Sequence, residues 1–285
     1  MFGKRKDGKE LKNINPYFKL IPNIMMERAD AQVYFNQDIM IKGMDEYIDK
    51  NLKDGIKLSY MDIIFAAVVR IIALRPQLNR FAINGRIYAR NQILLSVVIK
   101  KALSDDADET SLKIPFNGDE TIFEVKEKLG NMIKENKKIE TENSTDKFVN
   151  ILSKTPSSII KWAVRIIKRL DKKGNLPKFL IDLSPFHTSA FITNVGSIGI
   201  DSIYHHLYNF GTTSMFFAMG KKKKSFIFEE DEIKETKCIN FAFVGDERIC
   251  DGYYFASSFR LLCKYLNKPE LLEEKTEVRK EIESI

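Results

Sequence analysis

The chain has 285 residues, enough to bury one substantial core or two small ones. Its charged fraction of 30% and apolar fraction of 44% are those of an ordinary globular protein, and no run of about 18 apolar residues exists to span a bilayer. The net charge of +7 admits an acidic partner such as CoA, nucleic acid or a membrane surface without choosing among them. Cys238, Cys250 and Cys263 are widely spaced with no Cys-x-x-Cys pair, which reads as reduced thiols of a cytoplasmic protein, not as a zinc or disulfide framework. Met1-Phe-Gly-Lys-Arg-Lys-Asp7 lacks the apolar core of a secretory leader.

Residues 1–22 read as a polar arm lying over the surface, 23–275 as one domain with a basic helical insert at about 153–178, and 276–285 as a polar tail. After Met25, Met26 and Arg28 comes an extended segment holding Ile39 and Ile41. Residues 43–52, with Met44, Tyr47 and Ile48 on one side, predict a helix. Ser59-Tyr-Met-Asp62 is a capping-box start to an almost wholly apolar helix, 63–74, closed by Arg75-Pro76. So apolar a helix must be buried on most sides. Asn84-Gly85 between two short apolar runs predicts a hairpin, and 93–99 a buried strand. Phe116-Asn-Gly-Asp119 predicts a turn, and 121–136 a helix with Ile122, Val125, Leu129 and Ile133 on one face. The polar run 137–146 reads as exposed.

Within the insert, Ile159, Ile160, Ala163, Ile166, Ile167 and Leu170 form one helical face beside Trp162. Lys161, Arg165, Lys168, Arg169, Lys172 and Lys173 fill much of the remainder, and Gly174-Asn-Leu-Pro177 ends it. Residues 189–193 and 214–219 read as strands, with a glycine-bearing loop at 194–199; Lys221 to Lys224 read as the tip of a hairpin returning through 225–228. Residues 238–244 then run apolar like a buried strand. The charged turn Asp246-Glu247-Arg248 follows, and Asp251-Gly252 precedes a helix whose Phe255, Phe259, Leu262, Tyr265 and Leu266 recur at helical spacing up to Pro269. Charge set between a buried strand and a core-facing helix needs partners or a function.

That last stretch resembles the His-x-x-x-Asp-Gly signature of chloramphenicol acetyltransferases and of the catalytic domain of 2-oxoacid dehydrogenase complex acyltransferases. Asp246, Arg248, Asp251, Gly252 and Pro269-Glu-Leu-Leu272 stand in matching places, with Glu247 where the family carries its catalytic histidine. Lys57 through Asn79 is similar to the family's long central helix and its ending. Phe191-Ile-Thr-Asn-Val-Gly-Ser-Ile-Gly-Ile-Asp201 is similar to its Phe-Thr-Ile-Ser-Asn-Leu-Gly segment, and Met215 to Lys222 to the strand after it. The resemblance runs from about residue 24 to 272. It implies an α/β fold, a chloramphenicol acetyltransferase-like two-layer sandwich with a mixed β-sheet and packed helices, in a homotrimer whose active sites lie between subunits. It also implies coenzyme A, as acyl-CoA, as a cosubstrate. The chain carries no lipoyl domain and no peripheral subunit-binding segment, and its basic helix is longer than the corresponding family region.

In that family a histidine takes the proton from a thiol or hydroxyl, which then attacks the thioester. A carboxylate of ordinary pKa, about 4.3, is a poor base, so Glu247 would need burial to serve; a structural or degenerate role is the alternative. Thr193 matches the family's oxyanion-stabilising serine, though a strand threonine is equally a packing residue. His205 and His206, in the loop between the two strands, are candidates for a relocated base or are hydrogen-bonded loop residues; His187 is a further candidate. Asp251 would pair with Arg28, or locally with Arg248, to hold the turn. Gly252 would supply a conformation or close approach that a Cβ forbids, and Asn194 would cap its loop. Three histidines and no zinc motif predict no metal. The basic clusters are not interleaved with aromatics, which predicts no nucleic acid.

Two functions fit these residues. One is an acyl-CoA-dependent acyltransferase relative, acting on a thiol or hydroxyl acceptor with Glu247 or His206 as base. The other is a catalytically inactive trimeric scaffold, or CoA-binding pseudoenzyme, whose basic helix at Lys161 to Lys173 meets a membrane or an anionic partner. That helix could equally be packed on its own protein with a solvated basic face.

Overall fold

The computed structural model describes residues 4–100, 109–137, 154–229 and 231–281. Its strands are β1 (Gly8–Glu10), β2 (Gln32–Met40), β3 (Arg80–Ile83), β4 (Arg86–Arg90), β5 (Ile93–Lys100), β6 (Glu109–Phe116), β7 (Ala190–Asn194), β8 (Met215–Glu229) and β9 (Glu232–Asp246). Its helices are α1 (Pro16–Ile24), α2 (Lys42–Lys53), α3 (Tyr60–Leu74), α4 (Ile122–Lys137), α5 (Ser157–Lys172), α6 (Lys178–Leu183) and α7 (Gly252–Asn267).

The six-stranded sheet runs β2-β9-β8-β7-β5-β6, and β7 is parallel to both of its neighbours while the other pairings are antiparallel. Side chains alternate across a strand, so each strand offers one set to each face. Val97, Ile192, Phe217, Phe241 and their like meet α2, α3, α4 and α7 in the main core. The opposite set, Phe191, Phe216 and Val244, lies under Leu207, Tyr208 and Phe186. The mixed sheet with packed helices is the architecture the resemblance implies.

The buried helix α3 starts on its capping box, Ser59 and Asp62 each bonding the other's backbone, and every residue from Ile63 to Ala73 is buried. The hairpin turn at Asn84-Gly85 places both residues at positive φ, 51° and 72°, which a two-residue turn of this hand requires. A three-stranded sheet, β1-β4-β3, is built around it.

Several sequence expectations give way. The first residues do not simply lie over the surface: β1 pairs with β4, and Leu11 and Ile14 pack against Ile87. The exposed edge of β4 supplied backbone partners that no local pattern announces. The 276–285 tail is also engaged, since the Arg279 amide donates to the Ala73 carbonyl at 2.9 Å and Arg80 pairs with Glu281. Lys221 to Lys224 are not a hairpin tip. They lie mid-way along β8, and the turn comes at Asp231, at φ 61°. Its lysines pair with acids of the other strands, Lys224 with Glu235 of β9 at 3.0 Å and Lys223 with Asp38 of β2 at 3.0 Å, so the stretch lacks the apolar alternation that marks a strand. The polar run 138–146 and Ser153 lie outside the described residues.

Candidate active site

Strand β9 ends in Asp246, whose fully buried carboxylate is the hub of the region. It accepts from Arg248 Nε and Nη2, each at 2.7 Å, and from Arg28 Nε at 3.3 Å. Arg28 spreads its remaining donors over three carbonyls: Tyr208 at 2.7 Å, Gly211 at 3.2 Å and Ala82 at 3.1 Å. Burial lowers the pKa of Arg28, Asp246 opposes that shift, and Arg248 adds to it. Two buried cations sharing one carboxylate and several carbonyls are satisfied only while all of them stay in place. The turn after β9 is thereby tied to the 202–211 segment on the far side of the sheet.

Glu247, one residue on, is half-buried, and its amide donates to the Ala31 carbonyl at 2.9 Å. Its side chain borders a groove of about 390 Å³ at the open sheet edge, between Val33, Phe35 and Gln37 of β2 and Gly252, Phe255, Ala256, Phe259 and Arg260 of α7. The floor is aromatic: Phe35 lies 4.8 Å from Phe243 and 4.7 Å from Phe259, ring centre to ring centre. Among the described residues the Glu247 carboxylate takes no hydrogen bond and no ion pair. An apolar trough with one carboxylate and one guanidinium at its rim suits a slender, mostly apolar chain carrying a reactive polar group.

The other predicted residues sit elsewhere. Thr193, half-buried on β7 beside Ala218 of β8, shares the face of Phe191 and so points away from the helices. Asn194 accepts from the Ser197 amide at 3.1 Å and caps the short turn Val195–Ile198. His205 stacks on Phe216, centroids 4.2 Å apart and 7° from parallel, and its Nδ1 lies 2.9 Å from the His206 carbonyl. Burial lowers the His205 pKa. His206 is exposed and meets the Tyr208 ring edge-on. Within one chain, Thr193 and His205 occupy one face of the sheet and Glu247 the other.

Residues 183–273, about a third of the chain and the part that runs from β7 through α7, match the family model described as 2-oxoacid dehydrogenases acyltransferase (catalytic domain). Over that stretch the chain is similar to these acyltransferases. Solved structures extend the likeness over the whole fold. A probable dihydrolipoamide acetyltransferase from Listeria monocytogenes 4b F2365 is 16% identical, with 95% of this chain and 99% of that one covered at a TM-score of 0.55. A chloramphenicol acetyltransferase is 11% identical over 91% of this chain and 99% of that one, TM-score 0.56. The truncated catalytic core of the 2-oxoacid dehydrogenase multienzyme complex from Thermoplasma acidophilum is 14% identical over 92% and 99%, TM-score 0.52. No curated protein sequence matches the chain. The fold is the chloramphenicol acetyltransferase-like one.

Against that family pattern, two expected roles are corrected. Asp251 does not pair with Arg28 or Arg248; it is the N-cap of α7, accepting from the Tyr254 amide at 2.7 Å, and both arginines go to Asp246. An aspartate at the end of a buried strand outcompetes an exposed one because only there are the arginines desolvated with their partner. Gly252 has open space where a Cβ would stand and no positive φ, so neither strain nor close approach within the chain explains it. A glycine that does need its freedom is Gly211, at φ +83° with a Cβ position 2.3 Å from the Phe186 carbonyl. His187 is fully buried, bonded to Ser184 Oγ at 2.8 Å and Asp171 Oδ2 at 3.2 Å, which makes it a structural residue. Arg260, Phe255 and Phe259 shape the groove, and helical spacing alone marks the two phenylalanines only as core. Among the described residues, no three metal-ligating side chains gather.

Proposed function

We propose that the chain is an acyl-CoA-dependent acyltransferase relative working as a homotrimer, with its site completed between copies. Glu247 of one copy stands at the place of the proton-accepting residue, and Thr193 of the next donates to the oxyanion. The observation that carries this reading is the separation of Glu247 and Thr193 onto opposite faces of one sheet. For both to act on one substrate, a neighbouring copy must supply one of them. The apolar groove beside Glu247 fits an acyl chain or the slender arm of a thioester substrate.

In the reaction, the acceptor's thiol or hydroxyl proton passes to the Glu247 carboxylate as its sulfur or oxygen attacks the thioester carbon. The Thr193 hydroxyl and backbone donors hold the oxyanion while the carbon–sulfur bond to CoA breaks, and the proton returns to the leaving thiolate. An imidazole is the better-matched base near neutral pH, so turnover through a carboxylate should be slow.

The test is acceptor-dependent thiol release from acetyl-CoA and longer acyl-CoAs, with dihydrolipoamide among the acceptors. Loss of release in Glu247→Gln, a gain in Glu247→His, and recovery on mixing Glu247→Gln with Thr193→Val copies are the expected results. Release that survives Glu247→Gln but dies in His206→Ala would move the base to the loop. No release from a folded protein with any pair would leave the inactive-scaffold reading in its place.

A further inference from the structure

Helix α5 is only loosely part of the globule. No apolar side chain on it is buried, and its single buried residue is Asp171, near its last turn. Asp171 is held by Arg5 Nη2 at 2.9 Å and by His187 Nε2 at 3.2 Å, and Arg5 Nη1 also reaches its carbonyl at 2.7 Å. That anchor pins one end of the helix. Along the rest, Ile159 is 51%, Trp162 65% and Val164 38% exposed, and Ile160, Ile166 and Ile167 are half-buried.

The residues are sorted around the axis. At about 100° per residue, Lys161, Arg165, Lys168, Arg169 and Lys172 fall within an arc of about 100°, with Trp162 on its border and the isoleucines beyond. Asp171 is the helix's sole acid and is already neutralised by its buried partners, so the exposed polar arc is uniformly cationic. Among the described residues, Lys172 is the one cation of this arc that leans on an acid, Glu27, at 3.7 Å. The helix is 16 residues long, about 24 Å, too short to cross a bilayer and well suited to lie along one.

We infer that α5 seats the protein on an anionic lipid bilayer surface, with its isoleucines and Trp162 at the headgroup–acyl boundary and its basic arc among the lipid phosphates. An apolar face flanked by long cationic side chains, with an indole at the border, is what such a boundary rewards: the stems of lysine and arginine extend along the apolar layer while their heads stay with phosphate. An acidic protein surface would pair with the basic arc but would leave Trp162 and the neighbouring isoleucines without an apolar partner. A second copy of this chain would have to bring an acidic stripe of matching length. This inference is independent of the chemistry at Glu247.

Trp162 is the only tryptophan in the chain, so its emission reports on this face alone. The full chain is titrated with vesicles of equal parts phosphatidylglycerol and phosphatidylcholine, and separately with vesicles of phosphatidylcholine. The expected result is a blue shift of the emission and co-sedimentation with the anionic vesicles only, weakening as salt rises. Lys161→Gln with Lys168→Gln should lower the partition coefficient about 25-fold, about fivefold for each charge, with an unchanged circular dichroism spectrum. Failure of the folded wild-type chain to bind anionic vesicles overturns the inference, as does equal binding to phosphatidylcholine. A blue shift that depends on protein concentration without lipid assigns the face to a second copy instead. The same shift on adding polyglutamate assigns it to an acidic polypeptide.

Discussion

Asp246 and Asp251 stand five residues apart in one charged segment, and their replacement should have very different consequences. In Asp246→Asn, the carboxylate that neutralises Arg28 and Arg248 is lost while both arginines stay buried, 4% and 2% exposed. The side-chain amide must then point its own donors at a guanidinium or leave one of the three short contacts unmade. Breaking a buried ion pair from one side costs about 3–5 kcal/mol. In Asp251→Ala, only an exposed N-cap bond to the Tyr254 amide is lost, worth about 1 kcal/mol. With a urea m-value of roughly 3 kcal/mol/M for a chain of this length, the midpoints should fall by about 1–1.7 M and about 0.3 M respectively. The assay is urea unfolding followed by far-UV circular dichroism at one fixed protein concentration, since oligomerisation shifts the midpoint. An Asp251→Ala midpoint lower than that of Asp246→Asn would refute the assignment of the hub.

Further predictions test the scaffold around the site. Gly211→Ala places a Cβ against the Phe186 carbonyl at positive φ, so it should cost about 1–3 kcal/mol in a thermal melt and speed hydrogen exchange in the 202–211 segment; a melt like the wild type's would remove the steric reason for this glycine. Asp171→Ala removes the acid that joins α5 to Arg5 and His187, and should cost about 3 kcal/mol and loosen α5 to proteolysis before the rest unfolds; cleavage at wild-type rates would show that the helix is held elsewhere. Burial pulls the Lys113 pKa down to about 8, where its Nζ donates to the Ile181 carbonyl at 2.6 Å and the Ser184 carbonyl at 2.8 Å. A lysine depressed in the folded state binds fewer protons there than when unfolded, so its share of stability rises between pH 8 and about 10.4, by about 1–3 kcal/mol. The stability of wild type relative to Lys113→Met, followed by urea midpoint across that range, should rise accordingly, and a constant difference would contradict the burial effect.

What could be read from the sequence was local or carried by a motif. The capping box at Ser59, the turn at Asn84-Gly85 and the spacing of Phe255, Phe259, Leu262 and Leu266 each state their structure within a few residues. The fold was legible because several such pieces follow one another in the order of a known family. Partnership across the chain was not legible. Arg28 and Asp246 are 218 positions apart, and Arg5 and Asp171 166, and nothing in either segment marks which aspartate an arginine will take. Burial decides that, and burial belongs to the assembled sheet. The lysine ribbon of β8 was missed for the opposite reason: it gains its strand conformation from β9 and not from a buried face of its own.

The linkage through Arg28 constrains how a base at the proposed site can be tested for. Its guanidinium joins Asp246, next to Glu247, to the carbonyls of Tyr208 and Gly211, which close the segment carrying His205 and His206. Any variant of Arg28 therefore disturbs both candidate bases at once, and a loss of activity in Arg28→Ala says nothing about which one takes the proton. Glu247→Gln and His206→Ala act at the ends of that linkage instead. The Glu247 carboxylate has no partner among the described residues, and the His206 ring is exposed against Tyr208. Neither change breaks a buried bond, so a difference in rate between them reads the chemistry and not the fold.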